Sequence, residues 1–229
     1  MQVIYVDNHL LVVSKEPGVL TQGDATGDPD LLTEARTWVE RQFAKPGRAW
    51  LGLVHRLDRP VSGVVVFART SKAAARLSAQ FRDRVPRKRY LAIVEGLAPQ
   101  EARRADWIIE GHRGSRIGAP TDRNAREARL SWTRLGAKRD LSLLEIELET
   151  GRRHQIRVQL AAAGHPIVGD LRYGARRIFD GRNLALHAWR LEILHPVGGD
   201  RRVFRADPPA TWRGWFDREI QDLLDSSDA

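Results

Sequence analysis

Apolar residues in this chain fall into short runs whose spacing alternates between two periods, and the switches predict the order of elements. "VIYVDNHLLVVSKEPG" reads as two short strands parted at Asp7-Asn8, with Pro17-Gly18 as a turn. "LLTEARTWVERQFA" carries Leu32, Ala35, Val39 and Phe43 at helical spacing. "GVVVFART" is too short and too β-branched for a helix and reads as a buried strand. In "SKAAARLSAQFRDR" the stripe Ala74, Leu77, Phe81 predicts a helix, with Ser71 as its N-cap.

Downstream, "VPRKRYLAIVEG" reads as a basic turn feeding a strand. Residues 100–126 are polar and without clear period, which predicts an irregular peripheral excursion. "ARLSWTRL" and "LSLLEIELET" alternate, with Leu144, Ile146 and Leu148 on one face and Glu145, Glu147 and Glu149 on the other. With "GAKRD" between them they predict a hairpin with one wet face. "GRRHQIRVQLAAAGHPIVGD" predicts a helix opening at Gly151 and stopping at Gly164, before His165-Pro166. "LALHAWRLEIL" and "RVFRA" read as strands, and "TWRGWFDREIQDLL" as a closing amphipathic helix anchored by Trp212 and Trp215. Hairpins interrupted by isolated helices predict an α+β fold on a central mixed, largely antiparallel sheet, as a single domain over 1–229. The seven tryptophans are expected to pack its core and edges.

Composition narrows the class. With 42% hydrophobic and 29% charged residues the chain is globular rather than disordered. There is no cysteine, which excludes disulfides, thiol nucleophiles and thiolate-bound metals. The histidines, among them His112, His187 and His195, lack metal-ligand spacing, so no metal and no cofactor are expected. No apolar run reaches the ~18 residues of a membrane span, and the start lacks a signal-peptide pattern. The expectation is a cytoplasmic monomer. A net charge of +9 favours polyanionic partners, RNA or DNA first, because neutralised phosphates release counterions.

"LVHRLDRPVSG" (53–63) sets a carboxylate, Asp58, between Arg56 and Arg59 and ahead of a stiff Pro60, in a loop entering the apolar run "VVVFA". An aspartate there can be a nucleophile, a general base or a structural anion. As a nucleophile it must be ionised, which a guanidinium favours. Arg56 and Arg59 are its neighbours, but adjacent side chains of an extended stretch point apart. Arg157, one helical turn after His154, is a candidate partner from elsewhere in the fold.

At this point the residues resemble the RluA family of RNA pseudouridine synthases. "HRLDRPVSG" is similar to the family's H-R-L-D-x-x-T-S-G motif. "RKRYLAIVEG" matches its K-x-Y-x-A-x-V-x-G segment, and "ETGRRHQIRVQLAAAGHPIVGD" its T-G-R-x-H-Q-I-R block. The opening strand pair matches too, so the likeness covers nearly the whole chain. The resemblance implies isomerisation of uridine to pseudouridine in ribosomal or transfer RNA, without a metal or redox cofactor. Residue by residue it makes Asp58 the essential aspartate, Tyr90 the tyrosine that stacks on the target base, and Arg157 the arginine that pairs with the aspartate. His55, Arg56, Arg59 and His154 are implied as substrate-binding.

Three positions depart from the family pattern: Val61 in place of Thr, Arg153 in place of Thr or Ser, and Gln159 in place of His. The sequence opens at the catalytic-domain motifs, so no S4-type RNA-binding domain is expected ahead of them. RNA recognition is therefore expected from the catalytic domain itself, with "VPRKR" and 100–126 as the basic segments that would supply it. Two other readings stay open at this stage. One is a catalytically silent RNA-binding protein or RNA chaperone on the same fold. The other is a serine hydrolase using Ser62, against which the absent G-x-S-x-G elbow argues.

Overall fold

The computed structural model describes residues 1–44, 47–112 and 114–226. In chain order it begins with β1 (Gln2–Val6), β2 (Leu10–Lys15), α1 (Leu31–Gln42), β3 (Gly52–Leu53), β4 (Ser62–Ala68), α2 (Ser71–Arg82) and β5 (Arg87–Glu95). It continues with β6 (Glu101–Gly111), β7 (Gly114–Gly118), β8 (Arg126–Lys138), β9 (Leu141–Leu148) and α3 (Gln155–Ala162). Last come β10 (Leu186–Leu194), β11 (Arg201–Arg205) and α4 (Asp217–Ser226). This is an α+β architecture whose ladders are largely antiparallel. The chain sorts into two compact units: Met1–Arg87 with Ala188–Ala206, and Lys88–His187 with the chain from Asp207.

In the first unit β2 lies between β1 and β4, and β10 pairs with β4 and β11. Every residue of β2 and β4 is buried, which is why their sequences read as runs rather than alternations. Leu10, Val12, Val64 and Val66 pack with Leu77 of α2 and with Leu191 and Phe204. Each such side chain contributes roughly 1.5–3 kcal/mol. Helix α1 is capped by Asp30, whose carboxylate accepts from the Thr33 N–H at 3.1 Å, and it buries Leu31, Leu32, Ala35 and Val39.

Two local expectations are corrected here. The N-cap of α2 is Thr70, not Ser71: Thr70 holds the extended backbone and its side chain accepts from the Ala73 N–H, while Ser71 is already helical. Phe43 does not join the buried stripe of α1. It sits at the C-cap, 42% exposed, with the Arg69 guanidinium 4.1 Å from its ring centre.

In the second unit the strand order is β5-β9-β8-β6-β7. The wet-faced hairpin is present, but its strands run through "GAK", so the turn is only Arg139-Asp140. The alternation of β9 is as expected: Leu144, Ile146 and Leu148 are buried, Glu145 and Glu147 are not. The larger correction concerns 100–126. It is the long strand β6 and the shorter β7, registered from Trp107↔Gly118 to Gly111↔Gly114, with β6 paired to β8 along eight residues. Arg113, part of that basic segment, lies outside the described residues.

Two helices start later than their sequences predict. Helix α3 begins at Gln155, because His154 takes a left-handed backbone (φ 55°) that breaks the first turn. Helix α4 begins at Asp217; before it, Trp212 and Trp215 both pack on Phe179, with ring centres 5.8 and 5.4 Å away. Of the tryptophans, Trp132, Trp189 and Trp212 are buried, whereas Trp50 is half exposed.

Candidate active site

In the first unit Asp58 sits on a loop that residues 15–21 hold along its backbone. The Thr21 hydroxyl donates to the Leu57 carbonyl at 2.7 Å and accepts from the Leu57 N–H at 3.2 Å. The Gly18 N–H donates to the Arg59 carbonyl at 2.8 Å, and Arg59 Nε donates back to the Gly18 carbonyl at 3.0 Å. Gly18 has a positive φ of 85°, so it reaches this approach without strain. Both chain neighbours of Asp58 are therefore tied to the turn that follows β2. A turn closes behind it, where the Val61 N–H donates to the Asp58 carbonyl at 3.0 Å.

The motif's other residues explain the loop's shape. Leu57, Val61 and Ser62 are buried, while Arg56 and Arg59 are exposed and Asp58 is half-buried. Gly63 has φ 120°, and a Cβ there would lie 2.2 Å from the Ala188 carbonyl oxygen, so only glycine lets β4 approach β10. His55 is committed locally: its Nε2 accepts from the Val66 N–H at 2.9 Å, and its ring stacks on Phe81 at 4.8 Å. An accepting Nε2 carries no proton. Arg59, in addition to its bond to Gly18, meets Asp28 at 2.7 Å.

Sequence reasoning passed over the residue at the centre of this arrangement. Lys15 ends β2 fully buried, and its Nζ donates to the carbonyls of Glu16 (3.0 Å), Val19 (2.6 Å) and Arg59 (3.0 Å). Burial pushes its pKa down to about 7, against the pull of the Asp58 and Glu16 carboxylates; Arg59 adds to the lowering. The available signal was a lysine just past the apolar run "LLVV", with only Ser14 between them.

The second unit holds the other motif residues. Tyr90 lies on β5, registered opposite Ile146 and 8% exposed. Arg157 is in the first turn of α3, where every residue from Gln155 to Leu160 is buried. Its Nε and one terminal nitrogen meet the two oxygens of Asp170 at 2.7 and 2.8 Å, a buried bidentate pair. The guanidinium also lies 5.1 Å from the centre of the Tyr173 ring. The Tyr173 hydroxyl meets His154 Nδ1 at 2.8 Å and accepts from the Ser115 N–H at 2.9 Å. An open cleft of about 310 Å³ lies between the β6–β7 hairpin and Tyr173, with Arg116 and Arg172 among its walls. Asp170 and Tyr173 were not singled out from sequence, although Asp170 closes the quoted "GHPIVGD" block.

The three departures have local accounts. Val61 is buried and uses only its backbone N–H in the loop. Arg153 ties the start of α3 to β6, with Nη1 donating to the Gly111 carbonyl at 2.9 Å. Gln159 is fully buried, and its amide donates to Asp106 at 2.7 Å and to the Ala128 carbonyl at 3.1 Å.

Comparison with known proteins places the chain in a family. Residues 9–162 match the model described as RNA pseudouridylate synthase. The chain is 38% identical over 223 residues to the ribosomal large subunit pseudouridine synthase D of Xanthomonas campestris pv. campestris, covering 91% of this chain and 66% of that protein. It is 33% identical over 219 residues to the uncharacterized RNA pseudouridine synthase YhcT of Bacillus subtilis, covering 92% and 69%. The chain thus spans about two thirds of the length of these relatives. Among solved structures, human RNA pseudouridylate synthase domain containing 4 shares the fold, with a TM-score of 0.79 at 21% identity over 97% of this chain and 93% of that one. Its sequence and its fold agree: the chain belongs to the RNA pseudouridylate synthase family.

Proposed function

We propose that this chain isomerises uridine to pseudouridine within structured RNA, ribosomal or transfer, with Asp58 as the essential carboxylate. The observation that carries the reading is the loop itself. A half-buried aspartate is fixed by backbone bonds on both of its neighbours, the kind of preorganisation that a reacting group needs and a surface ion pair does not. The reaction breaks the N1–C1′ bond of a uridine, turns the uracil and joins C5 to C1′. Atoms balance without a co-reactant, since the C5 proton is exchanged for the one gained at N1.

The target base must leave its stack, at a cost of a few kcal/mol. Tyr90 is assigned the aromatic face that receives it, worth ~1–3 kcal/mol. Arg157 is assigned the guanidinium that steadies the carboxylate's charge, a role its motif position implies. The +9 surplus and the exposed Arg56 are assigned to phosphate contacts, which position RNA without reading its sequence.

The test compares RNA from cells with and without the protein, mapping pseudouridine by carbodiimide-based primer extension. Wild type and Asp58→Asn are added back in parallel. The expected result is a site lost on deletion and restored by wild type alone. Restoration by Asp58→Asn would refute the catalytic assignment. If no site changes while purified protein still binds RNA, the chain is a silent RNA-binding protein on this fold.

A further inference from the structure

We infer that Arg153 is a specificity-determining residue: by clasping the tip of the β6–β7 hairpin to the start of α3, it fixes the width of the cleft beside Tyr173 and so selects which RNA shapes the chain accepts. This rests on the isomerase reading above. Among the described residues, β6 pairs with β8 only as far as Ile108, and from Ile109 to Gly111 its only strand partner is β7. A two-stranded hairpin by itself is marginally stable in water. The tip therefore needs support from outside, and residue 153 makes three bonds to it. The Arg153 N–H donates to Glu110 Oε1 at 3.2 Å, and Ser115 Oγ donates to the Arg153 carbonyl at 2.6 Å. Arg153 Nη1 donates to the Gly111 carbonyl at 2.9 Å. Both strands are held in this way, β6 through Glu110 and Gly111 and β7 through Ser115.

Two of these bonds use the backbone of residue 153, and the third is what the arginine side chain adds. The consequence falls on the cleft. Ile109, Gly111, Gly114, Ser115 and Arg116 of the hairpin form one wall, and Arg172 with Tyr173 the other, so any swing of the hairpin changes its width. Arg116 and Arg172 are both exposed, one on each wall, which suits the cleft to a phosphate backbone. A wall fixed in advance costs nothing to order when an RNA fits, and it clashes with one that does not. A loose wall pays for ordering and adapts to both. Arg153 thus acts through the hairpin it holds, not through its own charge.

Arg153→Ala and Ser115→Ala release the clasp from opposite sides, and only the first alters charge. The probes are transcripts of small and large ribosomal RNA and a transfer RNA pool, each carrying tritium at uridine C5. The RNA from which wild type releases most tritium serves as substrate, and selectivity is the Kd for poly(U) divided by the Kd for that substrate. Hydrogen exchange of β7 peptides reads the hairpin. We expect both variants to exchange β7 amides about threefold faster or more, while the rest of the chain exchanges as in wild type. Both should lose about threefold to tenfold in selectivity, through weaker substrate binding with poly(U) binding little changed. If Arg153→Ala weakens both RNAs alike, the residue is a plain phosphate contact and the inference fails while the isomerase stands. It fails too if Ser115→Ala keeps the selectivity of wild type, or if β7 exchange is unchanged in Arg153→Ala. A wild type that releases no tritium from any of the three RNAs would overturn the isomerase reading and this inference with it.

Discussion

Arg157 and Asp170 meet edge to edge in the interior of the second unit, Nε to Oδ2 at 2.7 Å and a terminal nitrogen to Oδ1 at 2.8 Å. The pair fixes the plane of a guanidinium whose neighbours in α3 are themselves buried. Asp170→Asn keeps the shape but turns one acceptor into a donor facing a donor. Removing one partner of a buried ion pair costs ~3–5 kcal/mol. The expected result is a loss of that size in urea unfolding. Arg157→Lys should recover little, because an ammonium cannot make the two-point contact. A change under ~1 kcal/mol for Asp170→Asn would mean the pair contributes nothing net.

Gly63 carries a sharper steric demand. Its φ is 120°, and an ideally placed Cβ would sit 2.2 Å from the Ala188 oxygen, which leaves no room for any side chain. Gly63→Ala should destabilise by more than about 2 kcal/mol, strain and clash together, although alanine is the smallest possible addition. Melting or urea titration reads this directly, and a near-neutral result would show that β4 and β10 can separate cheaply.

Lys15 makes stability depend on pH with a defined sign. Unfolded, it titrates near 10.5; folded, near 7. Below pH 7 both states hold the proton and folding bears the full cost of burying the charge. Between about 7 and 10.5 the unfolded state binds more protons, so this group's contribution to stability rises with pH, by up to about 5 kcal/mol. Above 10.5 the cost is gone. Subtracting the stability of Lys15→Met from that of wild type at each pH should isolate this upward slope. A flat difference would mean that Lys15 stays charged across the window.

RNA affinity should fall steeply with salt. Several phosphate contacts give a slope of log K against log salt of about −0.7 to −0.9 per phosphate neutralised. Arg56→Ala should make the slope shallower by up to one contact. A salt-independent affinity would place the +9 surplus away from the RNA.

Much of this was legible in the residues, and the failures have a common cause. β2 and β4 announce themselves because they are buried on both faces, and β9 because one face is wet. β6 is hidden by its inward face. Its less exposed positions include Arg104 and Asp106, which satisfy each other at 2.6 Å, so the period of two carries charge instead of hydrophobicity. Gln159 reaches the same Asp106 from α3. Lys15 was missed for the mirror-image reason, a charge where the pattern called for an apolar residue. The Asp58 motif was readable in one line of sequence, but the clasp around it was not, because backbone carbonyls have no sequence signature.

The first unit is assembled from two stretches, Met1–Arg87 and Ala188–Ala206, with a hundred residues between them. On a ribosome, β4 is made long before its neighbour β10 exists. Until β10 (Leu186–Leu194) has emerged, the nascent chain carries β4, a mostly apolar strand, without its β10 partner, although β2 and β3 can already pair with it. A strand edge left open in this way is a template for pairing with the wrong strand. Elongation speed over the middle of the message, and chaperone occupancy during it, therefore bear on the yield of this protein.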